Sequence, residues 1–203
     1  MPNFRRAHVP GGTFFFTLVT YRRARFLCNE PARSTLRHAL VACGRERPFA
    51  IDAMVLLPDH LHLLMTLPDG DADFSTRLRV VKKTFTEQWL ILRGEASIAP
   101  AQSADQHRVW QKRFWEHTIR DQADLNAHLD YIHFNPVKHG LARCSHEWPH
   151  STFARWVKRG AYNADWYCVC KKTNVAMPNF EGIERRRWSD ESGPTRGRRC
   201  NHL

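Results

Sequence analysis

Residues 51–66 read IDAMVLLPDHLHLLMT, and this stretch decides the fold. Apolar and β-branched residues predict one strand over about 51–57 and a second strand over 60–66. Pro58 and Asp59 lie between the two strands and predict a tight turn, although Pro-Asp is not a favoured pair for a two-residue hairpin. The stretch therefore predicts a β-hairpin at the centre of a sheet-containing domain.

The two sides of the second predicted strand differ in chemistry. His60 and His62 are two residues apart, so their side chains point to the same side of the strand. Leu61, Leu63 and Met65 alternate with them and point to the other side, where they can pack into a core. Both imidazoles can reach one divalent metal ion, but imidazole binds many such metals, so the pair does not identify the metal. Chance also explains such a pair in a chain with 12 histidines.

Further segments extend the hairpin into a layered domain. The periodicity of apolar residues predicts a strand over 13–20 and helices over 30–44, 73–93 and 122–134. Pro136 and Gly140 are expected to end the last of these helices. The order strand, helix, strand, strand, helix, helix predicts an α+β sandwich, in which an antiparallel sheet is backed by helices.

The net charge points to a polyanionic partner. The chain has 31 Lys and Arg against 20 Asp and Glu, a formal charge of +11. Nucleic acid is the first candidate partner and an anionic membrane the second. No apolar run approaches the ~20 residues that span a bilayer, and the N-terminus lacks the cleavage site of a signal peptide. We therefore predict a cytoplasmic protein with no membrane partner, in which the six cysteines are reduced.

Tyr131 and Asn135 supply a second set of chemical groups. They are four residues apart in a predicted helix and therefore share one face. A tyrosine hydroxyl is a poor nucleophile unless it is assisted. A metal ion nearby could orient a phosphate and neutralise developing charge, and the amide oxygen of Asn135 could complete its ligand shell. Without the histidine pair, packing of Tyr131 and Phe134 in the core explains this helix equally well.

Four segments in a fixed order resemble a known family. They are VPGGTFFFT (9–17), PDHLHLL (58–64), VWQKRFWEHTIR (109–120) and YIHFNPVKHG (131–140). These segments are similar to signatures of the REP-associated tyrosine transposases, where REP stands for repetitive extragenic palindrome. This family is related to the small single-strand insertion-sequence transposases, within the histidine–hydrophobic–histidine endonuclease superfamily. The resemblance covers about residues 4–157.

The resemblance implies a fold, a reaction and a set of site residues. It implies a ferredoxin-like (RRM-like) sheet and a metal-dependent single-stranded DNA endonuclease and strand transferase. Such an enzyme cuts and rejoins DNA at a REP hairpin through a 5′-phosphotyrosine, with Mg²⁺ or Mn²⁺ as the working metal. By position, His60 and His62 match the metal ligands, Tyr131 the nucleophile and Asn135 the helix ligand. Because Pro136 disfavours helical geometry at the residue before it, the side chain of Asn135 could point elsewhere.

Basic residues near these motifs are predicted to contact the DNA. They are Arg77, Lys82, Lys83, Arg113, Arg120 and Lys138. For the first three, a solvated face of the 73–93 helix is the alternative explanation. His117, His128 and His133 are assigned no role.

The C-terminal part differs in composition from the rest. We predict a transposase domain over residues 1–160 and a basic, mobile tail over 161–203. The arginines of the tail are expected to add sequence-independent affinity for DNA or to cover the DNA groove when DNA is absent. Cys168 and Cys170 could bind zinc together with Cys200 and His202, although the spacing fits no usual zinc pattern.

Three functions stay open from the sequence. The first is an active strand transferase on single-stranded DNA hairpins, with a monomer favoured over a dimer. The second is a binding module that holds nucleic-acid hairpins without cutting them. The third is a zinc-dependent hydrolase that uses the histidine pair, for which Asp59 is the one nearby acid that could serve as general base. Intact His60, His62 and Tyr131 favour the first function.

Overall fold

A four-stranded sheet forms the centre of the molecule. The computed structural model describes residues 7–95, 108–168, 180 and 183. The strands are β1 (Thr13–Val19), β2 (Ala50–Leu56), β3 (His60–Thr66) and β4 (Trp115–Thr118). Each pairs antiparallel with its neighbour in the order β2-β3-β1-β4. The predicted hairpin is thus β2 and β3, and the histidine pair lies on a central strand.

Helices cover both faces of this sheet. They are α1 (Glu30–Glu46), α2 (Phe74–Leu92), α3 (Gln122–Lys138) and the short α4 (Phe153–Lys158). Helices α1 and α2 share a core with one face of the sheet, while α3 packs on the other. The order β1-α1-β2-β3-α2-β4 and the antiparallel sheet are those of a ferredoxin-like fold, so the predicted α+β class is confirmed.

The alternation of side chains along the central strands separates the two cores. Phe14 and Phe16 of β1 face α1 and α2 with Leu61 and Leu63 of β3, and all four are buried. Phe15 lies on the opposite face, in the core that α3 covers. Each fully buried side chain of this size stabilises the fold by roughly 1.5–3 kcal/mol. Leu61, Leu63 and Met65 of β3 therefore point away from the histidine pair, as the sequence predicts, whereas Leu64 lies on the same face as the pair.

Strand β4 is an element that the sequence analysis does not predict. Its four residues, Trp115–Thr118, are only partly buried, and their sequence shows no clear alternation. They pair with Phe14 to Thr17 of β1. The free edge of β1 supplies the hydrogen-bonding partners that make this segment a strand, and such an edge is a tertiary feature.

Helix α3 is longer than the sequence predicts. It continues to Lys138 with Pro136 inside it, so the prediction that Pro136 ends the helix is wrong. Proline removes one N–H donor, and here this happens in the last turn. The helix ends when the N–H of His139 donates to the carbonyl of Asn135 and Gly140 adopts a φ of +65°, a conformation that glycine adopts without strain.

The packed region extends beyond residue 160. The hydroxyl of Tyr162 donates to Oδ1 of Asp130 at 2.7 Å, and Trp166 and Tyr167 pack against the core under α3. Phe180 belongs to the same core. The predicted start of the tail at residue 161 is therefore too early in the chain, because aromatic side chains at positions 162, 166 and 167 pack against α3 and α4. The arginine clusters of the predicted tail lie outside the described residues.

Two cysteines depart from the expected reduced state. Cys144 and Cys168 form a disulfide, so the expectation of six reduced cysteines is wrong for this pair. Cys28 and Cys43 are free, and Cys170 and Cys200 lie outside the described residues. Within the described ranges, no helix has the length and apolar character that crossing a bilayer requires.

Candidate active site

Two neighbouring side chains hold the histidine pair in place. His62 pairs with Thr17 across the sheet, and its Nδ1 lies 2.9 Å from the hydroxyl of Thr17. Nδ1 of His60 lies 2.7 Å from Oδ1 of Asp59. The two rings are buried, and their centroids are 5.0 Å apart. Imidazoles fixed through Nδ1 by a carboxylate or hydroxyl are oriented to bind a metal through Nε2.

Asp59 is negatively charged, and one of its carboxylate oxygens is engaged in the hydrogen bond with His60. Its hydrogen bond with His60 is the main reason that its pKa lies well below the usual range. Partial burial opposes that shift, and Arg23, 3.0 Å from the second carboxylate oxygen, adds to it. A carboxylate with so low a pKa is a weak base. Asp59 therefore orients His60 and is poorly suited to be the general base of a zinc hydrolase.

Tyr131 lies beside His62, on the face of the sheet that carries the histidine pair. Its ring centroid is 5.1 Å from that of His62 and 5.9 Å from that of Phe15, on the face that α3 covers. The ring of Phe180 packs edge-on against Tyr131 at 5.2 Å, and Tyr131 is only 2% exposed. The structure thus brings the two predicted halves of the site together, in a closed arrangement.

Asn135 is helical in spite of the proline that follows it. It is fully buried, and its Nδ2 donates to the carbonyl of Tyr131 at 3.4 Å. Its Oδ1 is buried and has no hydrogen-bond partner among the described residues. Leaving such an acceptor unsatisfied costs about 1–3 kcal/mol. The amide oxygen is therefore an unsatisfied acceptor that a bound cation could satisfy.

The end of α3 adds two cationic or titratable groups to the site. Nζ of Lys138 lies 5.2 Å from the centroid of the Tyr131 ring. The ring of His139 lies 5.4 Å from that of His60. The sequence motifs predict a role for Lys138 but not for His139. The four-residue spacing of Tyr131, Asn135 and His139 was the signal that could have found it, because such residues share one helix face.

Arg77 does not fit the predicted role in DNA binding. It is 2% exposed, and its guanidinium donates to Oδ2 of Asp71 at 2.6 Å and to the carbonyls of Pro48 and Asp73 at 2.9 Å each. A guanidinium that is buried and bonded to three acceptors is not presented to a phosphate. We therefore correct the prediction: Arg77 joins the start of α2 to the loop before β2.

The other predicted DNA contacts lie at various places on the surface. Nζ of Lys82 donates to the carbonyl of Gln111 at 2.7 Å, whereas Lys83 is exposed beside Glu87. Both belong to α2, which packs on the face of the sheet opposite to Tyr131. Arg113 is exposed, as is Arg120. Contacts of these four residues with DNA stay predictions.

A second group of potential metal ligands lies at the start of α3. Nε2 of His117 is 2.8 Å from Oδ2 of Asp124, and Nδ1 of His128 is 3.2 Å from Oδ1. This His-Asp-His group could hold a metal ion. Burial raises the pKa of Asp124, but hydrogen bonds from His117 and Arg120 outweigh burial and lower it to about 2. The carboxylate is therefore already shared by an imidazole and a guanidinium.

His133 is a structural histidine. Burial lowers its pKa to about 3, so the ring is neutral at physiological pH. Its Nε2 lies 3.0 Å from the hydroxyl of Thr152, and the rings of Phe153 and Tyr162 pack against it. These contacts give His133 a place in the packing of the core, and the sequence motifs assign it no role in the reaction.

Comparisons with known proteins find relatives of this chain. A protein of Escherichia coli (strain K12) named REP-associated tyrosine transposase is 44% identical over 167 residues, which is 82% of this chain and 91% of the relative. A Haemophilus influenzae protein with a provisional version of that name is 40% identical over 166 residues, covering 82% and 93%. No family model matches the chain.

One solved structure is also similar to this chain. It is described as a REP-associated tyrosine transposase bound to a REP hairpin, and it superposes with a TM-score of 0.69 at 41% identity. The alignment covers 88% of this chain and 98% of that one.

The fold and the site define a class of protein. A ferredoxin-like sheet with a His-Leu-His strand, facing a tyrosine on a helix, is the arrangement of the tyrosine transposases of the histidine–hydrophobic–histidine superfamily. The identity of 44% over 91% of the Escherichia coli relative narrows this class to one family. The chain belongs to the REP-associated tyrosine transposases.

Proposed function

We propose that the protein is a metal-dependent endonuclease and strand transferase, which cuts and rejoins single-stranded DNA at REP hairpins with Tyr131 as nucleophile. The observation that carries this proposal is the position of the Tyr131 ring, 5.1 Å from the His62 ring on the same face of the sheet. The hairpin bound to the 41%-identical solved structure supports the substrate class. We expect the protein to act in the cytoplasm, where chromosomal DNA is accessible.

The proposed reaction exchanges one phosphodiester for another. The hydroxyl oxygen of Tyr131 forms a bond to the scissile phosphorus as the bond from phosphorus to the 3′ oxygen breaks. The tyrosine loses its proton, and the departing strand gains one to leave a free 3′-OH. The 5′-phosphotyrosine retains the energy of the ester, so a 3′-OH can attack it and rejoin the strand without an external energy source.

The residues around Tyr131 fit a divalent metal ion. His60, His62 and the amide oxygen of Asn135 would hold the ion, and the buried Oδ1 of Asn135 is the observation that favours this set. Nitrogen and oxygen ligands of this kind suit Mn²⁺ and are compatible with Mg²⁺. When bound, the ion would supply Lewis-acid stabilisation of the phosphate charge. Asp59 and Thr17 keep the two imidazoles oriented.

Lys138 gives the site a positive charge of its own. Its Nζ lies 5.2 Å from the centroid of the Tyr131 ring, while the residue itself is exposed. We infer that this ammonium group attracts the scissile phosphate and stabilises negative charge that develops near the tyrosine oxygen. Lys138 would thus both bind DNA and assist the reaction.

All of the proposed site residues come from one chain. His62 and Tyr131 contact each other within the same molecule, so no second copy is needed to complete the site. This supports a monomer as the active species. Light scattering on the purified protein, alone and with one equivalent of hairpin DNA, would measure the oligomeric state.

Covalent adduct formation tests the function. Single-stranded DNA with a REP-type hairpin and a label on its 3′ side would be incubated with the protein and Mg²⁺ or Mn²⁺, and then separated on a denaturing gel. We expect a labelled protein band that requires metal and is lost in Tyr131→Phe. An adduct that persists in Tyr131→Phe would rule out this nucleophile. Hairpin binding without any cleavage, with either metal, would favour the non-cutting module.

A pair of variants tests which group holds the working metal. His62→Ala removes a ligand beside Tyr131, whereas His128→Ala removes a ligand from the His117–Asp124–His128 group. We expect His62→Ala to abolish the adduct and His128→Ala to keep the metal concentration for half-maximal rate unchanged. The opposite result would move the working metal to the start of α3.

A further inference from the structure

We propose that Cys144, His146 and Cys168 form a zinc site in the reduced protein, separate from the active site. One ligand atom from each residue lies within 4.8 Å of the others. None of the three takes part in the proposed DNA reaction, so the inference stands independently of it. The site would join the turn that follows α3 to the segment that follows α4.

The three side chains converge from two distant parts of the chain. Cys144 precedes the short 3-10 turn Ser145–Glu147, of which His146 is the middle residue. Cys168 is 24 residues further along, yet its sulfur is bonded to that of Cys144. Both cysteines are buried, whereas His146 is exposed. The fold thus holds two sulfur atoms together and places an imidazole at their solvent side.

The ligand chemistry favours zinc over harder ions. Two thiolates and one imidazole are soft and borderline ligands, which select Zn²⁺ over Mg²⁺ or Mn²⁺. Zinc in proteins is tetrahedral, so a water molecule can take the fourth position. The active-site residues, with imidazole and amide ligands, present a different ligand set. Two sites with different metal preferences would therefore coexist on one chain.

The conversion from disulfide to zinc site balances as two steps. A dithiol reductant first transfers two electrons and two protons to the Cys144–Cys168 disulfide, which yields two thiols while the reductant becomes a disulfide. Zn²⁺ then replaces the two S–H protons, which are released to solvent, and His146 donates its nitrogen lone pair. Zinc binding should accordingly release protons and weaken as the pH falls.

The two free cysteines of the described residues are poor competitors for zinc. Burial raises the pKa of the Cys28 thiol to about 11 and also raises that of Cys43. Neither belongs to a group of potential metal ligands within the described ranges. Cys28 is thus a suitable control position.

The consequence of zinc binding would be to fasten the segment after α4. Within this segment, the hydroxyl of Tyr162 donates a hydrogen bond to Asp130 of α3, and Trp166 and Tyr167 pack against the core under α3. A metal that joins Cys168 to Cys144 would hold these contacts in a reducing environment, where the disulfide is lost. The cross-link would then persist in either redox state.

Metal content of the reduced protein tests the proposal. The full-length chain would be treated with a phosphine reductant, loaded with ZnCl₂, desalted and analysed for zinc and for thiols that react with a colorimetric reagent. We expect protection of two thiols and one equivalent of bound zinc that depends on Cys144 and Cys168. Cys144→Ser and Cys168→Ser should lose the zinc, and Cys28→Ser should keep it. His146→Ala should bind zinc more weakly by roughly tenfold or more, since one ligand is lost.

Cobalt substitution keeps the test valid if a cysteine variant fails to fold. Reduced wild-type protein titrated with CoCl₂ should develop the sulfur-to-cobalt charge-transfer and d–d absorption of a tetrahedral thiolate site, and added zinc should abolish it. Absence of these bands, absence of retained zinc in the wild type, or equal loss of zinc in Cys28→Ser would each overturn the proposal.

Discussion

Asp59 and Thr17 show how single residues prepare the histidine pair. Each contacts one Nδ1 atom, at 2.7 Å for His60 and 2.9 Å for His62. The rings are therefore held before any ligand arrives, and little conformational freedom is lost when a metal binds. Partners of this kind typically change metal affinity by about 10–100-fold.

Asp59→Asn tests this orienting role. The amide keeps nearly the same shape but loses the negative charge that strengthens the bond from His60. We expect the Mn²⁺ concentration for half-maximal adduct formation to rise by roughly ten- to hundredfold, with the rate recovering at saturating metal. Asp69→Asn, in the exposed turn after β3, is the control and should change neither value. A lower rate that no metal concentration restores would contradict an orienting role.

His133 predicts a pH dependence of stability. Its pKa falls from 6.5 to about 3 on folding because the ring is buried. Between these two pH values the unfolded chain binds one more proton at this residue than the folded chain does. The free energy of unfolding is therefore highest above about pH 6.5 and declines as the pH falls toward 3. The expected slope from this residue is about 1.4 kcal/mol per pH unit.

Denaturant unfolding at several pH values measures this slope. His133→Gln keeps a polar contact for Thr152 but cannot titrate, so it should flatten the decline below pH 6.5. The exposed His38 is the matched control, and His38→Gln should leave the slope unchanged. An equally steep decline in His133→Gln would assign the effect to other groups.

At the scale of elements, one helix supplies most of the site. Helix α3 carries Tyr131 and Asn135 four residues apart, its last turn adds Lys138, and His139 follows as the residue that caps the helix. Pro136 leaves this arrangement intact because it lies within the final turn. The strand side is equally simple, since β3 places both imidazoles on one face. A helix packed across a strand is thus sufficient to assemble the site.

Helix α2 shows that a basic residue on a helix is not necessarily a DNA contact. Arg77→Ala removes the bonds to Asp71 and to the two carbonyls, so we expect a loss of roughly 2–4 kcal/mol in the free energy of unfolding. Hairpin affinity of the folded variant should equal that of the wild type. Lys83→Ala should show the reverse, with unchanged stability and weaker, less salt-dependent binding if Lys83 meets a phosphate.

Unfolding by denaturant and fluorescence anisotropy with labelled hairpin DNA, both at fixed salt, measure the two effects. A loss of hairpin affinity in folded Arg77→Ala would restore the original prediction for this residue.

At the scale of the whole molecule, the site is closed. Tyr131 is 2% exposed, partly because the ring of Phe180 packs on it from beyond the first 160 residues. A DNA phosphate can reach the tyrosine only if such covering side chains move. Phe180→Ala should therefore raise the initial rate of adduct formation, because less apolar contact must be broken. Gel analysis at early times measures this rate, and an unchanged or lower rate would mean that Phe180 supports the site.

Local geometry explains why much of the site could be predicted from the sequence. The common direction of His60 and His62 follows from the two-residue repeat of a strand, and the shared face of Tyr131 and Asn135 follows from the helix. The α+β class follows from the order of elements, whereas the ferredoxin-like sheet was implied only by the resemblance to the family, because β4 has no clear sequence pattern. The net charge of +11 points to a polyanion without any knowledge of the fold.

Packing between distant segments decided the rest. The sequence does not say that α3 lies over β3 with the Tyr131 ring 5.1 Å from His62, nor that Arg77 is buried by the carbonyls of another loop. The contact of Cys144 with Cys168 is of the same kind. The backbone geometry of a strand or helix repeats along the chain, so the direction of its side chains can be predicted from neighbouring residues alone. Which surfaces meet depends on the free energy of burying them together, and only the tertiary structure shows that outcome.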